Sequence, residues 1–237
     1  MKKRLLIQAV FTLLLASQYG YSQIDVVYNN LVWSDEFNTN GAIDSNKWFQ
    51  QTQLPAGGSW FNNEVQHYTN QLSNSFVSNG NLNIVAVKEP YTSQGITKQY
   101  TSARLNSKFA FTYGRVDIRA KVPNSQGTWP ALWLLGKNVD EDGAFFDSNF
   151  GTTSWPACGE IDIMEHLGRE LNKVHGSLHA PSHYGGNSKT GTTTINNVTS
   201  EFHIYSLDWR SDVIKFYVDN VLFYSYTNNN STPFNSN

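Results

Sequence analysis

Glu160, Asp162 and Glu165 place three carboxylates within six residues, Glu160-Ile161-Asp162-Ile163-Met164-Glu165, on an apolar, strand-like backing. In a flat strand side chains alternate faces, so Glu160 and Asp162 share one face and Glu165, five positions on, points to the other. One extra residue at Ile163-Met164 would turn Glu165 back beside the first two, and bulges of this kind re-aim side chains near active sites. Two carboxyl groups on either side of a glycosidic bond are the usual equipment for its hydrolysis. Crowded carboxylates cannot all ionise cheaply, so at least one must hold its proton to unusually high pH and become a candidate general acid. The same acids could ligate a hard cation, but the segment lacks the alternating Asp/Asn/Gly loop of a dedicated calcium site. Ordinary surface acids on a strand edge are the remaining reading.

The elements needed to present such a strand recur along the chain. Residues 113–122 alternate strictly, with Arg115, Asp117, Arg119 and Lys121 on one face and Val116, Ile118, Ala120 and Val122 on the other. Residues 202–209 and 213–218 read as strands, and Asp219-Asn220 as a hairpin turn into 221–226. Helical periodicity is confined to the N-terminal residues. Strands separated by Gly-, Asn- and Ser-rich turns predict an all-β fold of two packed antiparallel sheets. Three loops, 53–59, 139–150 and 182–193, are expected to rim a cleft. The acidic run Asp140-Glu141-Asp142 reads as a solvated loop tip. After Tyr226 the sequence turns polar with no closing strand, which predicts that the fold's last strands are missing at the C-terminus.

Composition narrows the function. Residues 1–22, a Lys2-Lys3-Arg4 head followed by a short apolar run, read as a secretory signal peptide, and 25–237 as one domain, placing the protein outside the cytoplasm, extracellular or periplasmic. No other stretch could span a bilayer. Removing the leader leaves 14 of the 17 basic side chains against 19 acidic ones, a formal charge of −5, which argues against nucleic acid as a partner. Cys158 is the single cysteine and reads as a buried structural thiol rather than a nucleophile. Aromatic residues make up 14% of the chain, nearly equal to the 15% that are charged. That surplus of flat apolar faces suits neutral sugar rings.

The segments Trp129-Pro130-Ala131-Leu132-Trp133-Leu134-Leu135 and Gly159-Glu160-Ile161-Asp162-Ile163-Met164-Glu165-His166 together resemble the active-site strands of glycoside hydrolase family 16, in its laminarinase branch. The similarity runs from about Val32 to Phe234. It implies a β-jelly-roll sandwich with an open substrate cleft across the concave sheet. It also implies a retaining endo-acting hydrolase of β-1,3-glucan, working as a monomer and needing no cofactor for catalysis. By this resemblance Glu160 matches the nucleophile, Asp162 its assisting acid and Glu165 the general acid/base. Asn63, Glu64, Arg104, Trp129, Trp133 and His179 match substrate-binding positions. Trp129 and Trp133 are expected to stack on adjacent sugars, the alternative being a pair in the core, and Arg104 either to bind hydroxyls or to form a structural ion pair. His175 and His179 share a strand face, but no third ligand suggests zinc. Glu36, in Trp33-Ser34-Asp35-Glu36-Phe37, matches a structural calcium ligand whose C-terminal partner is missing here. The alternatives are a family relative acting on algal galactans and a fragment that binds glucan without cleaving it.

On a flat strand Glu160 and Glu165 would be about 13 Å apart at Cα, given a rise of about 3.3 Å per residue and one bulge. A retaining pair needs carboxyls about 5–5.5 Å apart. Local backbone irregularity and leaning side chains must therefore do the rest.

Overall fold

The computed structural model describes residues 26–228 and 233–235. The expected leader lies outside the described residues. The chain divides into units 1–30 and 31–237, and every described strand lies in the second. The strands are β1 (Trp48–Gln50), β2 (His67–Tyr68), β3 (Ser75–Ser78), β4 (Asn81–Ile84) and β5 (Val87–Ser93). Then come β6 (Ile96–Ser102), β7 (Leu105–Ser107), β8 (Gly114–Ala120), β9 (Ala131–Leu135) and β10 (Glu160–Glu165). The last are β11 (Lys173–His179), β12 (Lys189–Thr194), β13 (His203–Trp209), β14 (Val213–Val218) and β15 (Val221–Thr227). A four-residue helix, α1 (Asp147–Phe150), is the one α-helix among the described residues.

Two four-stranded antiparallel sheets carry the architecture, in the orders β12-β11-β10-β9 and β15-β14-β13-β8. Their facing sides share one core. Ile161, Ile163, Met164, Val174 and Leu178 from the first sheet pack with Tyr205, Leu207, Ile214, Phe216 and Val218 from the second. Burial of such apolar area, at about 25 cal/mol per Å², is the main force holding the layers together. Gly176 is required for it: a Cβ there would meet the Phe216 ring at 2.8 Å and Phe223 at 3.1 Å. Three smaller sheets flank the sandwich, and one of them pairs β2 with β6 in parallel, which a purely antiparallel expectation did not include.

The β14–β15 hairpin forms where expected. Asp219 and Asn220 both adopt left-handed φ values, 49° and 64°, suited to a tight two-residue turn. The third expected loop is partly a strand instead, because residues 189–194 form β12 and pair with β11. Its Lys-Thr-Gly-Thr-Thr-Thr sequence has no apolar alternation to announce it, although β-branched Thr suits a strand. No strand follows β15 among the described residues, yet the chain returns to the core: Phe234 is buried and its carbonyl accepts the Trp209 indole N–H at 3.2 Å.

Candidate active site

β10 lies second from the edge of its sheet, with β9 on one side and β11 on the other. Asp162 faces Trp133 of β9 and Ser177 of β11; beyond it the register slips by one residue, so that Met164 pairs with Leu132 and Glu165 with His175. This is the expected bulge. Its effect is visible in burial: Ile161, Ile163 and Met164 are all in the core, with Ile163 and Met164 each 1% exposed, although they are consecutive. Two successive side chains therefore point inward, and Glu165 returns to the face of Glu160 and Asp162. Ser177 donates to Glu165 Oε2 at 3.2 Å. Because Ser177 is the register partner of Asp162, Glu165 must lean along the strand toward the other acids.

At the other end, the Trp155 indole N–H donates to Glu160 Oε2 at 2.8 Å. His179, directly opposite Glu160 on β11, brings Nε2 to 3.1 Å from Asp162 Oδ2 and 3.8 Å from Glu160 Oε1, without a well-aligned hydrogen bond to either. The Gly185 N–H donates to His179 Nδ1 at 3.1 Å. Nδ1 is thus an acceptor, and the ring proton belongs on Nε2, facing the acids. Trp155 also packs against Tyr184 and His179.

The electrostatics follow from this crowding. Burial, then the neighbouring Asp162 charge, pushes the Glu160 carboxyl up to about 8, against the opposing influence of His179 and Trp155. Burial and the Glu165 charge hold Asp162 well above the usual carboxylate range. The two acids lie together in one buried setting and each feels the other's charge or hydrogen bonding, so they titrate as a pair. Asp162 is the deeper, 4% exposed, and we place the shared proton there. With Asp162 neutral, one of the causes raising Glu160 disappears and Trp155 supports its anion. Cys158 follows the expectation of an inert thiol, buried and pushed up to about 11 by burial and the Glu160 charge.

Trp129 donates its indole N–H to Glu165 Oε1 at 2.9 Å, so its edge engages the acid while the residue stays half exposed. The Arg104 guanidinium lies between Trp60 and Trp133, 5.4 and 4.9 Å from their ring centroids, and pairs with Glu141 at 2.7 Å. This is the structural ion pair of the two readings offered for Arg104. It also corrects the picture of Glu141 as part of a solvated tip: its carboxylate is drawn in by Arg104 and accepts from the Gln51 side chain at 2.7 Å. Glu64 accepts from Tyr68 Oη at 2.6 Å and from Gln66 Nε2 at 2.7 Å, and Tyr68 packs on Trp60. Asn63 is exposed in a left-handed conformation beside it.

Sequence reasoning missed Trp155. Its signal was an aromatic residue in the Pro- and Gly-containing run that leads into β10, where a large ring has no strand to pack on. His175 pairs with Glu170 at 3.2 Å and does not join His179 in a metal-ligating group. Among the described residues Glu160, Asp162 and His179 are the group whose ligand atoms come close enough, within 4.8 Å, to hold a cation. Glu36 is exposed and joins no such group, while its neighbour Asp35 accepts from Trp48 Nε1 at 2.8 Å and lies 3.6 Å from the Lys47 ammonium. A cation placed there would compete with that ammonium, so these residues do not by themselves fit the expected calcium.

A family model described as glycosyl hydrolases family 16 matches residues 61–237. The chain belongs to this family. Its fold is the family's jelly-roll sandwich, and it resembles a solved structure of a LamA variant from Zobellia galactanivorans in complex with laminaritriose and laminaritetraose. The two share 48% identity and a TM-score of 0.82 over 88% of this chain and 85% of that one. A beta-glucanase from Rhodothermus marinus is 39% identical over 85% of this chain and 67% of its own length. A glucan endo-1,3-beta-glucosidase A1 from Niallia circulans is also 39% identical, over 84% of this chain. The chain spans only 30% of that second relative.

Proposed function

We propose that the protein is a secreted, monomeric, retaining endo-β-1,3-glucanase that cleaves laminarin-like glucans, with tolerance for mixed 1,3/1,4 linkages. The observation that carries this reading is the bulge in β10, which turns Glu165 onto the face of Glu160 and Asp162, where each outer acid accepts from an indole N–H. Relatives named as β-1,3-glucanases and a similar protein holding laminari-oligosaccharides support the substrate class.

In the proposed reaction Glu160 attacks the anomeric carbon as Glu165 gives its proton to the departing glycosidic oxygen, leaving a glycosyl ester on Glu160. Glu165, now ionised, takes a proton from water as that water attacks the anomeric carbon and frees Glu160. Asp162 holds the shared proton beside Glu160, so the nucleophile works as an anion in a buried setting. His179 keeps a ring N–H toward both. Trp129 and Trp133, with Asn63 and Glu64 further along, line the path of the glucan. No cofactor is needed for these steps.

The test is release of reducing ends from laminarin, lichenan and agar by the wild-type chain and by Glu160→Gln and Glu165→Gln. The expected result is cleavage of laminarin first, lichenan second and agar not at all, with loss of about a thousand-fold or more in each variant. Cleavage of agar in preference to laminarin would move the protein to galactans. Binding of laminarin without cleavage by the wild-type chain would make it a lectin-like relative.

A further inference from the structure

Glu165 accepts two hydrogen bonds of different character. Trp129 Nε1 can only donate, so Oε1 is held as an acceptor at 2.9 Å whatever the state of the carboxyl. Ser177 Oγ, 3.2 Å from Oε2, can donate or accept. Ser177 is 3% exposed and has a second partner, Thr190 Oγ1 at 3.0 Å, directly across from it on β12, in a contact that either hydroxyl could donate. Thr190 in turn contacts Ser188 Oγ at 2.9 Å. Three hydroxyls therefore run from Oε2 to the exposed edge strand of the sheet, and each link can reverse.

We propose that Ser177 is a positioning residue whose hydroxyl swings between Glu165 and Thr190 in step with the protonation of Glu165, so that the catalytic proton is carried on Oε2. This rests on the reading of Glu165 as acid/base. When Glu165 is ionised, the Ser177 O–H donates to Oε2, and Thr190 can donate to Ser177. When Glu165 is protonated, Oε2–H is free to face the glycosidic oxygen, and Ser177 turns its O–H to Thr190, which turns its own to Ser188. No hydroxyl is left without a partner in either state, and no covalent bond to Ser177 oxygen is broken. The proton that leaves Oε2 goes to the leaving group, and the one that returns comes from the attacking water.

The other charged or titratable groups around Glu165 do not offer this reversal. Asp162 and Glu160 on β10 are acids and repel its anion. On β11, His175 is engaged with Glu170 and His179 is turned to Asp162 and Glu160, while Lys189 on β12 pairs in register with core-facing Leu178. Arg104 is tied to Glu141 behind Trp133.

The test is the pH profile of kcat/KM on laminarin for Ser177→Ala, Ser177→Thr, Thr190→Val and Glu165→Gln. A hydrogen bond to a charged group is stronger than one to its neutral form, so Ser177→Ala should lower kcat about ten-fold and move the alkaline limb to higher pH. Ser177→Thr restores both. Thr190→Val removes the alternative acceptor, commits Ser177 to the ionised carboxylate and moves the alkaline limb the opposite way, to lower pH. Thr190 is exposed, so that variant and Ser177→Thr keep the test open if Ser177→Ala does not fold. Limbs that stay put, or that move in the same direction in Ser177→Ala and Thr190→Val, overturn the relay while inactivity of Glu165→Gln preserves the acid/base reading. Wild-type activity in Glu165→Gln overturns both.

Discussion

The two ends of β10 carry the same side chain in opposite surroundings. At the Glu160 end, a buried acid, a histidine and an indole converge on one carboxylate, and burial together with the Asp162 charge pushes it up to about 8. At the Glu165 end the direct hydrogen-bond partners are an indole and a serine, both uncharged, and the carboxylate leans into a row of reversible hydroxyls. The strand supplies the face and the spacing, but the neighbours supply the difference. In the proposed reaction a shared proton at one end lets a crowded nucleophile be an anion beside an acid. Neutral partners at the other, switching as proposed, would let a carboxyl pass between two states during one turnover.

The largest effect that could break this comparison comes from removing the need for an acid. With an aryl β-glucoside of laminaribiose whose leaving group departs unaided, Glu165→Gln should form the glycosyl ester at nearly the wild-type rate and then stall, since nothing activates water. Glu160→Gln should be slower than wild type by a thousand-fold or more on the same substrate, because no ester can form. Pre-steady-state bursts of aryl alcohol read the outcome directly: a burst in Glu165→Gln and none in Glu160→Gln. Bursts in neither, or in both, would mean that the two ends are not chemically distinct.

A smaller effect sharpens the Glu160 end alone. Trp155→Phe keeps an aromatic ring against Tyr184 and His179 but removes the donor to Glu160 Oε2. The indole N–H favours the ionised carboxylate, so its loss should raise the acid limb of the kcat/KM profile by about one pH unit and lower the rate at pH 6 about ten-fold. An acid limb that does not move would assign Trp155 to sugar binding only, visible as a change in KM.

The same contrast shows what a sequence can and cannot say about such a site. The acids were legible because three of them on apolar backing are rare, and the bulge followed from the mismatch between strand alternation and the need for a common face. The strands of the second sheet were legible from alternation, as at 113–122, where one face packs on the core and the other meets solvent. β12 was not, because its stability comes from backbone pairing with β11 and its Thr side chains carry no apolar period. Glu141 was misread for a related reason: charge runs look solvated, and only the fold brings Arg104, 37 positions away, against this one. Trp155 escaped because what it does depends on a loop conformation that places the indole edge over a residue five positions later. Chemistry borne by one strand was readable. Chemistry assembled from several segments was readable only where the family resemblance marked the residue, as at Trp129 and His179.

The smallest effect is on stability, and it has a definite sign. The Glu160–Asp162 pair keeps a proton in the folded state, placed on Asp162, toward the value of about 8 to which Glu160 is pushed, whereas in the unfolded chain the two carboxyls return to about 4.5 and 3.8. Below the unfolded values both states are protonated and the pair costs the fold nothing. Above them, the folded state keeps a proton that the unfolded state has lost, so the stability present at low pH is lost progressively as pH rises toward 8. Glu160→Gln, which keeps the shape and cannot ionise, removes this drain. Its melting temperature should match wild type near pH 4 and exceed it by a few degrees near pH 8, a gain of about 1 kcal/mol or more. Glu165→Gln is the control at the other end of the strand: a gain confined to Glu160→Gln would tie the strain to the crowded acid pair, and equal gains in the two variants would show that the whole acidic face, rather than one end of it, is what the fold must tolerate.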